Sequence, residues 1–273
     1  MKRYFPSFHN NRGVALLIVL LVTALLIALI FEFAYATRVS LRAAVNFRDS
    51  QRAYFLARAA VNVFAKYQTL QDNIPQGEWG VVPIVSEGDT ELRIRWEDER
   101  GKINISKVIK DNDAYKRLGQ FFDIREVSQD VLFKMTEKMD FRLITELHQV
   151  MSDEEFQKAK DYLTVYLGLE TDQGKTINVN TASLEVLRSL LRSLGKDDGP
   201  ADSIVNRRNN SGPFETSGDL DSISGIDTAT KGYFTTASNI YKVYAYATVG
   251  GYTRQIEAVI TRGSTTPLYW RVM

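Results

Sequence analysis

Residues Val14 to Phe31 form a run of eighteen apolar residues broken only by Thr23. Wound as an α-helix at about 1.5 Å per residue, it is roughly 27 Å long, close to the hydrocarbon thickness of a bilayer. A helix apolar on every face has no solvent side. The run therefore predicts a single membrane span, with the remaining 242 or so residues organised on one side of it. Lys2, Arg3 and Arg12 precede it with no acidic residue among them, which places the short N-terminal tail in the cytoplasm and the rest outside. An ordinary secretory signal fits less well: the run is longer than a usual signal core, and no small-residue cleavage site ends it before the charged segment from Glu32 to Arg42.

The helix is predicted to continue beyond the membrane. Ala53, Leu56, Ala57, Ala60, Val63, Phe64 and Tyr67 recur at steps of three and four, while Arg52, Arg58, Asn62 and Lys66 fall on other faces. Between Val14 and Gln76 the only breaker is Pro75, so one helix of roughly fifty residues is expected. Its second half needs a globular partner to cover the apolar stripe.

Composition narrows the chemistry. There is no Cys, which excludes thiol catalysis, disulfides and Cys-based metal centres. The two histidines, His9 and His148, are far apart, and both read as ordinary surface or satisfied residues rather than members of a triad or metal centre. With 34 Lys+Arg against 33 Asp+Glu, no overall field draws the chain to nucleic acid. Acidic pairs such as Asp153-Glu154-Glu155 sit at helix starts, where the helix dipole accounts for them. No catalytic set is found, and the chain is not expected to be an enzyme.

After the helix, the pattern turns extended. Val81, Val82, Ile84 and Val85 form a β-rich run. Leu92, Ile94 and Trp96 alternate with Arg93, Arg95 and Glu97, with Ser86-Glu87-Gly88-Asp89 as the turn between them. Glu97 to Arg100 read as a solvated, charged hairpin tip before Gly101, rather than as a metal site, and Ile103 and Ile105 resume alternation. From Asp111 to Thr164 helical signals dominate, including a capping box at Ser152 and Glu155. "INVNTASLEVLRSLLRSL" and "ADSIVNRRNNSGPFETSGDL" predict a helix starting near Ser183 and a second over Ala201–Arg208. The chain closes with two alternating strands, Tyr241–Thr248 and Tyr252–Ile260, joined through Gly250-Gly251.

The basic leader ending in Gly13, followed by an apolar helix that runs on as an amphipathic one, resembles the type IV pilin-like proteins. "WEDERGKINIS", "INVNTA", "GPF…DL" and "SNIYKVYAYATVGG…EAVITRG" narrow the resemblance to the K-type minor pseudopilins of type II secretion (the general secretion pathway protein K family). The likeness covers the leader and helix, the strand near Trp96 and most of Thr176 to Gly263, and is weak from Asp111 to Gly174. It implies cleavage between Gly13 and Val14 by prepilin peptidase on the cytoplasmic side, with N-methylation of Val14. A Cβ-less residue suits an extended peptide in a protease cleft. Most pilins carry Glu at the fifth mature position, where it partners the N-terminal amine of the preceding subunit. Here that position is Ile18. A subunit with no predecessor has nothing to pair with a carboxylate, which is costly in a bilayer, so by this resemblance Ile18 looks like the mark of a tip or initiating subunit, whereas in a plain single-pass anchor any apolar residue would do. The resemblance also implies I- and J-type minor pseudopilins, the pseudopilus shaft and the inner-membrane assembly platform as partners.

Two rival readings stay open. The segment from Thr176 also resembles the helix-hairpin-helix module of DNA-uptake proteins. Its five basic residues (Arg188, Arg192, Lys196, Arg207, Arg208) are outnumbered by eight acidic ones, 5 − 8 = −3, whereas a phosphate-gripping face is basic. "GKDDGP" also puts carboxylates where amides would meet phosphate, so nucleic acid is not an expected partner. A minor pilin of a related type IV pilus is the other rival. Calcium occurs in the helical domain of family members. The loop before "INVNTA" supplies only Glu170 and Asp172 here, so a site would need Asp111 or Asp113, and no metal or other cofactor is expected.

The expected fold is thus α+β: a long transmembrane and amphipathic helix packed on a pilin-like antiparallel sheet, with a large inserted helical domain. The expected divisions are leader 1–13, membrane helix 14–31, amphipathic helix 32–70, first β segment 71–105, helical domain 106–230 and closing strands 231–273. Ala53, Leu56, Ala57, Ala60, Val63 and Phe64 are the candidate packing or partner face. The expected location is the bacterial inner membrane, single-pass, with a periplasmic head.

Overall fold

The computed structural model describes residues 11–66, 74–82, 88–138, 140–167, 176–264 and 266–273. The leader residues Lys2, Arg3 and His9, helix residue Tyr67, most of the turn before Asp89, and Glu170 and Asp172 lie outside the described residues.

Helix α1 (Asn11–Lys66) is continuous over 56 residues, about 84 Å at the standard rise. Every residue from Gly13 to Ala44 is exposed. Burial begins at Asp49 and continues through Ala53, Ala57, Ala60, Val61, Phe64 and Ala65, the three- and four-residue steps of one helical face. Four of these are Ala, with Ala53, Ala57 and Ala60 spaced at four and three residues, which lets the helix axis sit close on the strands.

That face covers a five-stranded antiparallel sheet in the order β1 (Gly80–Val81), β2 (Thr90–Asp98), β7 (Ile240–Val249), β8 (Tyr252–Thr261) and β9 (Tyr269–Val272). Alternation sets the register. Leu92 and Ile94 of β2, Val243, Ala245 and Ala247 of β7, and Ile256, Ala258 and Ile260 of β8 all turn inward to one core with α1. Phe64, Trp96 and Tyr241 close it at one end, with ring centroids 5.7–6.0 Å apart. At the other end Gly250 and Gly251 make the two-residue turn between β7 and β8 at φ 55° and 83°. A Cβ on Gly250 would stand 2.6 Å from Asp49 Oδ2, so this turn can rest on α1 only as glycine. The edge strand β9 was not singled out by the sequence pattern, because only four residues alternate there.

Between β2 and β7, which are hydrogen-bonded neighbours, residues 99–239 leave the sheet and build a second body with its own core. They include α2 (Asp113–Arg125), α3 (Gln129–Lys138), α4 (Asp153–Ala159), α5 (Leu184–Ser193), α6 (Gly199–Ser211) and the short α7 (Thr228–Lys231). Asn112, Ser152, Ser183 and Asp227 cap their helices, and Ser152 with Glu155 forms the capping box. Two parallel pairs stitch this body together: β3 (Ile103–Asn104) with β4 (Leu163–Thr164), and β5 (Ile177–Asn178) with β6 (Phe234–Thr235). Three expectations are corrected here. The division at residue 105 falls too late, since β3 pairs inside the helical body. The division at 230 falls too early, since β6 pairs there as well. The helical run does not reach Thr164, because Leu163 and Thr164 are strand. In each case a long-range pairing of two residues decides, and such short strands leave no periodic signal.

Candidate functional site: the exposed helix and the domain junction

Gly13 sits in the first turns of α1, and a Cβ built on it meets nothing within 4 Å. Among the described residues nothing calls for glycine at this position. The Gly13–Val14 bond is helical here, so an extended peptide at this point requires the first turn to unwind. Val14 and Ile18 are 58% and 57% exposed, as are their apolar neighbours throughout the run. Thr23 and Thr37 donate their hydroxyls to the carbonyls of Val19 and Phe33, so both satisfy themselves on their own helix.

The structure separates the candidate packing face. Ala53, Ala57, Ala60 and Phe64 are buried against the chain's own sheet and Leu56 packs beside them, while Val63 is 42% exposed. Phe55, 58% exposed, and Phe47, 68% exposed, lie on the outer side of the same helix.

The acidic cluster of "WEDERGK" is not a solvated tip. Asp98 and Glu99 are each 1% exposed and Lys102 is 9% exposed, at the point where the chain passes from sheet to helical body. Each carboxylate grips a different part. Asp98 accepts from Asn178 Nδ2 and Thr181 Oγ1, both at 2.7 Å, and from the Arg100 amide at 2.8 Å. Glu99 accepts from the buried Thr164 hydroxyl and from Lys102 Nζ at 2.8 Å. Glu97, on the sheet's outer face, takes Lys102 at 2.9 Å and Arg95 at 2.8 Å. Gly101 is needed for the close fit, since a Cβ there would stand 2.9 Å from Thr181 Oγ1 and 3.0 Å from its carbonyl carbon. Burial raises the Asp98 carboxyl above its ordinary value despite these donors. Burial also works to raise Glu97, but Lys102, with Arg95 and Lys242, outweighs it and holds the group lower. Lys102 is likewise desolvated, yet Glu99 and Glu97 push it above its usual range.

The "INVNTA" segment is the other half of this junction. Besides Asn178 and Thr181, Asn180 accepts from the Phe214 amide at 2.7 Å and donates to the carbonyls of Phe214 and Thr236. Arg208 donates to the carbonyls of Val179 and Ala182. Sequence reasoning noticed these motifs only as strings. The available signal was a strand whose alternation ends in three successive carboxylates with a lysine three residues on.

The five basic residues of the helix-hairpin-helix-like segment are all engaged internally. Arg188 pairs with Asp202 at 2.9 Å, Arg192 holds both oxygens of Asp198 at 2.7 and 2.6 Å, and Lys196 meets Asp227 at 2.7 Å. Arg207 lies over the Phe214 ring, 4.2 Å from its centroid. Of the two carboxylates of "GKDDGP", Asp198 therefore serves as an internal partner while Asp197 is exposed, and the five basic residues of this segment are turned to partners within the chain. His148 pairs with Asp153 at 3.0 Å and lies on Phe156. Among the described residues no three His, Asp or Glu side chains group to hold a metal, Asp111 and Asp113 included.

Residues 177–238 match the family model described as Type II secretion system (T2SS), protein K. The matched segment is thus similar to the corresponding part of type II secretion protein K. It contains Asn178, Asn180, Thr181, Arg208 and Phe214, the residues that lock the helical body to Asp98 and to itself. A similar solved structure is a chain in the crystal structure of the GspK-GspI-GspJ complex from the enterotoxigenic Escherichia coli Type 2 Secretion System. It is 14% identical, covers 87% of this chain and 97% of that chain, and superposes with a TM-score of 0.55. At that identity the likeness is one of fold: an apolar helix on an antiparallel sheet with a helical insertion. No curated protein matches the chain. Family segment and fold agree, and the resemblance to the K-type minor pseudopilins stands on both.

Proposed function

We propose that the chain is the tip subunit of a type II secretion pseudopilus, which initiates or caps the filament used to export proteins across the outer membrane. The observation that carries this is where the bulk of the head lies. The turn at Gly250 rests on Asp49, nearer the apolar run, whereas the excursion of residues 99–239 leaves the sheet beside Phe64, at the far end of α1. The helical body thus extends away from the membrane, above the sheet, where it obstructs a further subunit. The exposed apolar half of α1 remains free to pack in a filament core beneath it.

The remaining roles follow from this reading. Prepilin peptidase cuts between Gly13 and Val14, Val14 is methylated, and the helix stays in the inner membrane with the head in the periplasm. Basic residues flank the apolar run on both sides, Lys2, Arg3 and Arg12 before it and Arg38, Arg42 and Arg48 after it, so the charge count is even and the cytoplasmic leader follows from the prepilin-type reading. Ile18 leaves no unpaired carboxylate in a subunit that has no predecessor. I- and J-type minor pseudopilins are its neighbours, and the assembly platform supplies the push. The role is mechanical, without catalysis. Coexpression of the full chain with its I- and J-type counterparts tests this: a complex of all three is expected. Failure of the chain to join it, or tight salt-sensitive DNA binding by the chain, would overturn the reading.

A further inference from the structure

Between Phe31 and Asp49, the first α1 residue buried against the sheet, the helix is almost wholly exposed. Phe31, Tyr35, Arg38 and Arg42 follow one another here at steps of four, three and four residues. At 3.6 residues per turn they fall within a sector of about 60°. Phe31 is 71% and Tyr35 72% exposed, and both arginines are exposed as well. Among the described residues neither arginine has an ion-pair partner; the next carboxylate along the helix, Asp49, is buried and paired with Arg48 at 2.9 Å. Glu32 lies off the stripe.

The order along the axis is that of a bilayer's depth profile: hydrocarbon, then the aromatic interface, then phosphate. If the apolar run fills the hydrocarbon, Tyr35 stands about 6 Å, Arg38 about 10 Å and Arg42 about 16 Å past its end, beside a headgroup layer of roughly 5–7 Å. Helical side chains lean towards the N-terminus, here towards the membrane, so the long stem of Arg38 brings its guanidinium down to the headgroup layer, whereas Arg42 stays above that layer and acts through the field of the anionic surface. Continued by seven and eleven residues from Arg42, the stripe becomes Asp49 and Ala53, the face that carries the sheet. The head therefore overhangs this side of the helix.

We propose that Phe31, Tyr35 and Arg38 form a headgroup-binding stripe that takes the phosphate of an anionic phospholipid in the leaflet on the head's side, with Arg42 above it adding attraction to the anionic surface. The contact fixes the depth of α1 in the bilayer, and it must break when the helix is withdrawn into a filament. It rests on the membrane-inserted reading above.

The chain has no cysteine, so Thr37→Cys, about 100° away from the stripe at the same depth, accepts a single fluorophore. The full chain is reconstituted in phosphatidylcholine vesicles containing about one-quarter phosphatidylglycerol. Energy transfer to labelled phosphatidylglycerol is expected to exceed that to labelled phosphatidylcholine by at least about twofold. The excess is expected to vanish in Arg38→Gln/Arg42→Gln and in about 0.5 M salt. Equal transfer in the unsubstituted stripe, or an excess untouched by the double substitution, would overturn the proposal. So would equal transfer together with salt-sensitive capture of an acidic protein, which would assign the stripe to a protein partner. Alkaline carbonate extraction separates the two levels. A chain that washes out overturns the membrane reading as well, whereas a retained chain with equal transfer overturns the stripe alone.

Discussion

At the scale of the residue, the junction depends on buried carboxylates that are each fully occupied. Asp98→Ala leaves the Asn178 amide, the Thr181 hydroxyl and the Arg100 N–H without their acceptor in a dry site. It is expected to cost about 2–4 kcal/mol, read as a lowered denaturation midpoint of the chain. The pH dependence has two signs. Glu97 is held below its ordinary value of 4.5, so its contribution is present above that value and is lost as the pH falls through the folded value. Asp98 is raised above 3.8, so its contribution runs the other way: the fold disfavours its charge, and stability is lost as it ionises. Glu97→Gln is expected to lower the thermal midpoint at neutral pH and to flatten its fall between about pH 5 and 3; an unchanged acid limb would contradict this. The contacts that tie this strand end to the helical body were not legible locally. Thr164 stands 65 residues from Glu99, and Asn178 and Thr181 stand 80 and 83 residues from Asp98. Three adjacent acids read as solvent-facing until their partners are brought to them.

At the scale of the element, α1 was readable because its signals are long and periodic. Eighteen apolar residues define the span, and steps of three and four define the face that meets the sheet. β2, β7 and β8 were readable for the same reason: nine or ten residues of alternation and a Gly-Gly turn. The two-residue strands β3 to β6 were not, since a pair of residues carries no period, and the boundaries of the helical body shifted accordingly. The candidate face of α1 also turned out to divide in two, because a helix on a sheet buries one side only. Phe64→Ala, which empties the space shared with Trp96 and Tyr241, is expected to destabilise the head by about 3–5 kcal/mol. Val63→Ser, on the exposed side, is expected to change the stability by less than about 0.5 kcal/mol. Equal losses from the two, measured by denaturant titration, would contradict the packing described.

At the scale of the whole molecule, three parts are linked in series: an apolar half-helix with no partner among the described residues, a sheet clasped by the second half, and a helical body fixed to the sheet's far end through Asp98, Glu99 and the "INVNTA" segment. That arrangement places the helical body beyond the end of α1 that lies away from the exposed apolar run. A Cβ on Gly13 meets nothing among the described residues, so the proposed cleavage gives the glycine a role that packing does not. Gly13→Ala is expected to leave the denaturation midpoint unchanged and to leave uncleaved precursor in pulse-labelled membranes. Rapid, complete cleavage of that variant would count against the glycine's role. The most direct measurement is the N-terminus of the chain extracted from its native membrane. The tip-subunit account predicts a chain that begins at Val14 and carries an N-methyl group. An intact Met1, or a start beyond Phe33, would contradict it.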